Sequence, residues 1–346
     1  LTDIAKRFEN NPILKPGNVK PSVEGLAVEC LLNPGVFRYG GKTHLLLRVA
    51  ERPVQKEGIV SLPILKDGAI DVLSFDKHDP DLDTTDPRGI VYKGKPYLTT
   101  LSHLRLASSD DGITFTVSDT AIFGEGKHES FGIEDCRVAE VDGTFYLFYT
   151  AVSENGHGIG MISTSDWQDF GRHGIIIPPP NKDGALFQEK IHDEYWCLHR
   201  PTNDGLGGNY MWVARSKDLE HWGRHECLAA PRKGKWDCAR IGAGASPIKT
   251  EKGWLEIYHG ANEDNTYCLG AMLLDLDNPA NVLARSDNPI MVPTTDYEKY
   301  GFFGEVIFTN GHVVDGDTVT IYYGASDEVI CGAKFSIEEM LGTLGV

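Results

Sequence analysis

The chain has little positive charge for its size: 33 Lys and Arg stand against 50 Asp and Glu, a net charge of −17 over 346 residues. Nucleic acids and anionic membrane surfaces are met by basic faces, so neither is an expected partner. No stretch approaches the roughly 20 apolar residues that span a bilayer. The opening LTDIAKRFENNP has no apolar signal-peptide core, and the expected compartment is the cytoplasm. The seven cysteines, Cys30, Cys136, Cys197, Cys227, Cys238, Cys268 and Cys331, are odd in number and none are spaced CxxC. They are expected to be mostly buried thiols in a reducing compartment rather than a disulfide framework. HExxH and EF-hand spacings are missing, so no metal is expected. A G-x-S-x-G elbow is missing as well. The glycines of RIGAGASP (240–247) lack the Lys-Ser/Thr ending and the following helix of a nucleotide loop.

Helical periodicity is nearly missing too, with SIEEMLGTL (336–344) as the one candidate helix. What the chain has instead is a repeat. An apolar strand, a Gly or Asp turn and an apolar-aromatic strand recur as YGGKTHLLLR (39–48), YKGKPYLTTL (92–101), VDGTFYLFYT (141–150), HDEYWCLHR (192–200), TEKGWLEIYH (250–259) and VDGDTVTIYY (314–323). Each turn carries a hairpin signature. A second pattern, a strand running into Ser-x-Asp and an aromatic, follows several copies: ASSDDGITF (107–115), STSDWQDF (163–170) and ARSKDLEHW (214–222). Two hairpins in about fifty residues make one four-stranded propeller blade. The expected fold is an all-β propeller forming a single domain over residues 1–346, with a two-sheet sandwich as the competing arrangement. Six hairpin copies leave the number of blades open: the first and last could share a blade, or 92–101 could be an insertion.

Rotation about a propeller axis brings equivalent repeat positions together at the hub. The ends of the second strands supply Arg48, Leu101, Thr150, Arg200, His259 and Tyr323. The innermost strands supply Asn33, Asp86, Asp135 and Glu305, with Lys190 and Arg240 nearby. A pure scaffold would put small or apolar residues there. Asp135, in GIEDCRV, has a partner copy in TDPR (85–88); a buried Asp beside an Arg is also a common structural pair. Lys182, Arg200, Arg240 and His259 together would make an anion site, because the planar guanidinium fork matches phosphate oxygens.

Taken together, these segments resemble glycoside hydrolase family 130. The likeness runs through LNPGVF with LLLRVAE, GIEDCRV, KDGALFQEKI with LHRP, RIGAGASPIKTEKGWLEIYHGA, GAMLLDLDNPANVLARS and IYYGASD. The resemblance implies a five-bladed β-propeller and inverting phosphorolysis of β-1,2-linked mannobiose or mannooligosaccharides to α-mannose 1-phosphate. By the same resemblance Asp135 is the general acid, its proton travelling through the 3-hydroxyl of the mannose being cleaved. Lys182, Arg200, Arg240 and His259 fall where the family binds phosphate. Asn33, Arg48 and Asp327 fall where it holds mannose, and Glu305 and Tyr258 are further candidate sugar contacts. Inorganic phosphate is the implied co-substrate, with no other cofactor; a homo-oligomer is left open.

Water-driven inversion needs two carboxylates, whereas phosphate brings its own charge and needs one acid and a cationic cradle. Asp135 is expected to stay protonated near neutral pH through burial or neighbouring acids. Two other readings compete. One is a β-1,2-mannosidase of the same fold with Glu305 as base. The other is a sugar-binding propeller without catalysis, which would use aromatics such as Trp236, Trp254, Tyr258 and Tyr323.

Overall fold

The computed structural model describes residues 3–203 and 205–346. Five large antiparallel sheets follow one another along the chain, each with its strands in consecutive order. The first is built from Leu26–Tyr39, Lys42–Pro53, Leu101–Ser109 and Thr116–Ile122. The second runs from Ile133 to Ile177 and the third from Asn181 to Ala229. In the fourth, Arg240–Gly242 and Ile248–Thr250 both pair with Gly253–Ala261. The fifth takes Ile307–Asp315, Thr318–Ala325 and Val329–Ser336, and Lys6–Arg7 from the chain start adds its outermost strand.

Burial reports radial position. The inner strand Ile133–Val141 is buried at nearly every residue, because neighbouring sheets cover both of its faces. The outermost strand Gly223–Ala229 is mostly exposed. Apolar cores fill the gaps between successive sheets. Leu46, Leu104, Cys136 and Leu147 join the first to the second, and Phe148, Ile159, Leu186 and Cys197 the second to the third. Leu198, Val213, Trp254 and Met272 join the third to the fourth, and Leu255, Leu269, Ile307 and Ile321 the fourth to the fifth. Leu45, Leu47, Val313 and Ile330 then join the fifth back to the first. The sheets therefore close on themselves as a propeller does, and a sandwich is excluded.

The hairpin at 92–101 is the insertion. Gly89–Tyr92 and Lys95–Leu98 form a small sheet with Leu82–Asp83, and Ile59–Lys66 pairs with Ala69–Asp76. Both lie between the second and third strands of the first sheet. The Ser-x-Asp repeat has a physical reason in the outer turns. Asp111, Asp166 and Asp218 each accept two backbone N–H groups, two and three residues ahead. Asp275 does the same in the fourth sheet. The candidate helix forms over Ile337–Thr343, with Ser336 as its N-cap accepting from Glu339 N at 3.0 Å.

Candidate active site

The inner strands of the first three sheets are each interrupted by a bulge, between Leu32 and Gly35, Glu134 and Arg137, and Lys182 and Ala185. At each bulge sits an Asn or Asp in the left-handed region: Asn33 (φ 29°), Asp135 (φ 48°) and Asp183 (φ 58°). Short polar side chains tolerate that conformation best, and a bulge re-aims the side chain it carries. The three side chains are thereby turned to the hub. Asp183 is the member missed in the sequence, where Lys190 was counted instead; Lys190 is exposed and lies over the Tyr195 ring. The signal was present in the Lys-Asp-Gly of 182–184, which matches Glu-Asp at 134–135.

Polar braces tie these bulges into one frame. Asn310 Nδ2 donates to the Asn33 carbonyl at 3.0 Å, and Asn33 Nδ2 donates to Asp135 Oδ1 at 3.0 Å. Arg137, buried, donates to the carbonyls of Asp135 (3.0 Å), Ala243 (2.7 Å) and Gly244 (2.7 Å), and reaches Asp183 Oδ1 at 3.3 Å. One guanidinium thus links the second, third and fourth sheets. A β-carbon at Gly242 would overlap the Asp183 carboxylate and the His259 ring, so only glycine fits there.

The frame surrounds a cavity of about 400 Å³. Asn33, Arg48, Asp135, Lys182, Arg200 and Asp327 all line it. The cavity is polarised. On the side of the first, second and fifth sheets stand Glu134, Asp135 and Asp327, with Arg48 between them at 2.9 Å from Glu134 and 3.0 Å from Asp135. On the side of the third sheet stand Lys182 and Arg200, paired across neighbouring strands. Among the described residues Lys182 makes no ion pair with a carboxylate. Arg200 Nε donates to Asp183 Oδ2 at 2.7 Å and Nη1 to Asn209 at 3.2 Å. Its Nη2 has no partner among the described residues.

The other candidates are placed differently. Arg240 stands behind Tyr267, donating to the Tyr267 hydroxyl and to Asn265 Oδ1, both at 2.8 Å, so its charge meets only neutral acceptors. His259 is 0 % exposed, behind Phe308, with Nε2 at 3.4 Å from Asp183 but without hydrogen-bond geometry. Burial, against the pull of Asp183, lowers its pKa to about 4. His259 is therefore a neutral ring rather than a fourth cation. Tyr258 points the other way on the same strand, into the core between the third and fourth sheets, where its hydroxyl donates to Asp237 at 2.9 Å. It is not a sugar contact. Glu305 is exposed, off the cavity lining, and accepts from Thr266 Oγ1 at 2.7 Å. A base stationed there would not face the cavity.

Two pKa shifts bear on chemistry. Burial alone would raise the Asp135 carboxyl, but Arg48, Lys182 and Arg137 together outweigh it and hold it below its ordinary value. The expectation of a protonated Asp135 is therefore corrected for the unliganded protein: the surrounding cations win over desolvation. Asp327 moves the other way. Burial, with Asp135 nearby and Arg48 opposing, raises it to about 6.

The insertion completes the mouth. Asp86, Arg88, Leu98 and Thr100 line the cavity, and the Arg88 guanidinium lies 4.6 Å over the ring of Phe303, across the opening. The Asp86–Arg88 pair (2.9 Å) is exposed and belongs to the insertion, so it is not a second copy of the Asp135 position.

Comparison with known proteins points to a single family. The profile of glycoside hydrolase family 130, described as beta-1,4-mannooligosaccharide phosphorylase, matches residues 90–345. A beta-1,2-mannobiose phosphorylase of Listeria innocua serovar 6a is 42% identical over 348 residues, 98% of this chain and 98% of that protein. A 1,2-beta-oligomannan phosphorylase of Thermoanaerobacter sp. is 39% identical over 244 residues, 69% of this chain and 80% of that one. A solved structure of a beta-1,2-mannobiose phosphorylase from Listeria innocua in complex with beta-1,2-mannobiose, 42% identical, superposes with a TM-score of 0.96, covering 99% of both chains.

Proposed function

The chain belongs to glycoside hydrolase family 130, and from that premise we propose that its five large sheets are the blades of a five-bladed catalytic propeller that phosphorolyses β-1,2-linked mannobiose or short mannooligosaccharides. The products are α-mannose 1-phosphate and a sugar shortened by one residue. The β-1,2 linkage is preferred to the β-1,4 of the family description because the relative matched over nearly its whole length is a β-1,2 enzyme.

The observation that carries the reading is the charge imbalance across one cavity. Lys182 is a cation without a carboxylate of its own among the described residues, and Arg200, which shares Asp183 with Arg137, keeps one nitrogen toward the cavity, opposite an acid held by Asn33 and Arg48. Phosphate seated on Lys182 and Arg200, with Arg240 behind, is aimed at the anomeric carbon by fixed charge rather than by a base. Its oxygen forms the new bond to C1 as the C1–O2 bond breaks, and this single displacement turns β into α. The proton from Asp135 ends on the departing hydroxyl. Phosphate also supplies that proton's affinity. Its negative charge offsets the pull of Lys182 and Arg137 on Asp135, so the carboxyl takes up a proton as phosphate binds. The chemistry calls for no resident cofactor.

No helix among the described residues is long and apolar enough to cross a membrane. All seven cysteines are free, five of them buried, which supports a reducing, cytoplasmic setting. Incubation with β-1,2-mannobiose, with and without phosphate, tests the proposal. α-Mannose 1-phosphate is expected only with phosphate; free mannose at equal rates in both would make the protein a hydrolase.

A further inference from the structure

A second cavity, of about 640 Å³, lies away from the hub between the N-terminal segment and the outer edge of the first sheet. Its size is within the range of small-molecule sites. At its base is Arg105, only 1% exposed. Arg105 pairs with Leu47 and Ala121 across the sheet, which puts it on the same face as Leu45, Leu47 and Ala107, beside an otherwise apolar cluster. Its Nε and Nη2 are buried and have no hydrogen-bond partner, and no carboxylate pairs with it among the described residues. The one acid lining the cavity, Asp119, is exposed and faces Lys20 at 3.4 Å.

A guanidinium cannot shed its charge, and a buried charge without a counter-ion is strongly unfavourable. The planar N–H fork fits a carboxylate or a phosphate oxygen pair. The rest of the wall alternates apolar surface, from Ile13 and Phe115, with hydroxyl and amide groups, from Thr114, Thr116 and Asn18. That lining suits a body with both hydroxyls and apolar edges, and the volume is far larger than one oxyanion needs.

We propose that this cavity is a second ligand site, distinct from the hub, which takes a small hydroxylated organic anion with its carboxylate or phosphate on Arg105. The site does not depend on the reaction at the hub, and its test separates the two. Thermal unfolding of the full chain is followed with glucose 6-phosphate, gluconate or inorganic phosphate, for wild type, Arg105→Met and Ser118→Trp. The second variant fills the cavity and leaves Arg105 in place. Saturation by glucose 6-phosphate or gluconate should raise the wild-type Tm by about 2 °C or more. Both variants should lose that shift yet keep wild-type turnover of β-1,2-mannobiose. A shift with one organic anion alone assigns the head group as phosphate or carboxylate. Equal shifts in wild type and Ser118→Trp, a shift with inorganic phosphate alone, or no shift with any probe would overturn the proposal.

Discussion

Two buried aspartates, Asp183 and Asp237, are each gripped by arginines, and their neighbourhoods do opposite things. Asp237 lies between the third and fourth sheets. It accepts from Arg232 (2.8 Å), Arg285 (2.5 Å) and the Tyr258 hydroxyl (2.9 Å), and both arginines spend their remaining donors on Ser286, Ala230 and Tyr258. Arg232 Nη1 also lies 3.6 Å from Asp287, so the two arginines meet two carboxylates and the cluster is a rivet. Asp183 serves Arg200, Arg137 and the neutral His259, but Lys182 and one nitrogen of Arg200 are left facing a cavity. An Asp-Arg cluster is therefore read as structural or functional by the cations it leaves over, not by its composition.

The largest effect that sharpens this contrast is expected at Asp135. Asp135→Asn should lower kcat by about 10²–10⁴-fold, the usual worth of a general acid, with the protein still folded; steady-state kinetics with residual activity within tenfold of wild type would break it. The rivet should fail in the other currency. Asp237→Asn leaves two partly exposed arginines short of their buried counter-ion and should lower unfolding stability by about 2–3 kcal/mol in urea titrations, with KM and kcat of the folded protein unchanged. Lys182→Ala should raise KM for phosphate roughly 10–100-fold, as expected for one charge-assisted contact, with little change in melting temperature.

The smallest effect is in pH. Asp327 is raised to about 6 by burial, so the folded protein binds its proton more tightly than the unfolded chain. That contribution is present below the ordinary carboxyl value and is lost as pH rises through 6. Asp327→Asn should therefore gain relative stability between pH 4 and 6. The gain is no more than about 2 kcal/mol, since the carboxyl meets solvent in the cavity. Parallel stability curves for wild type and variant would contradict the assignment.

The repeat made the ring legible because the outer turns of the first three sheets each have a Ser or Thr and an Asp that must satisfy backbone N–H groups, a local demand visible in sequence. The hub was legible where the bulge keeps a fixed distance from its hairpin, as at Asn33 and Asp135. In the third sheet the inner strand ends at Leu186, and residues 187–194 run irregularly before Tyr195. Counting back from that turn lands on Lys190 and passes over Asp183. Tyr258 and His259 show a second limit. Adjacent residues on a strand face opposite ways, and the pattern of a fully buried strand does not say which faces the axis. The insertion looked like a repeat because it too is a hairpin; only pairing distinguishes them.

The central claim is that the cations left over around Asp183 seat the attacking phosphate. Calorimetric titration of inorganic phosphate into wild type, Asp237→Asn and Lys182→Ala tests it most directly. Wild type and Asp237→Asn should bind phosphate with the same Kd, and Lys182→Ala at least about tenfold more weakly. Equal affinity in Lys182→Ala and wild type would show that the cavity's unpaired charge is not the phosphate seat.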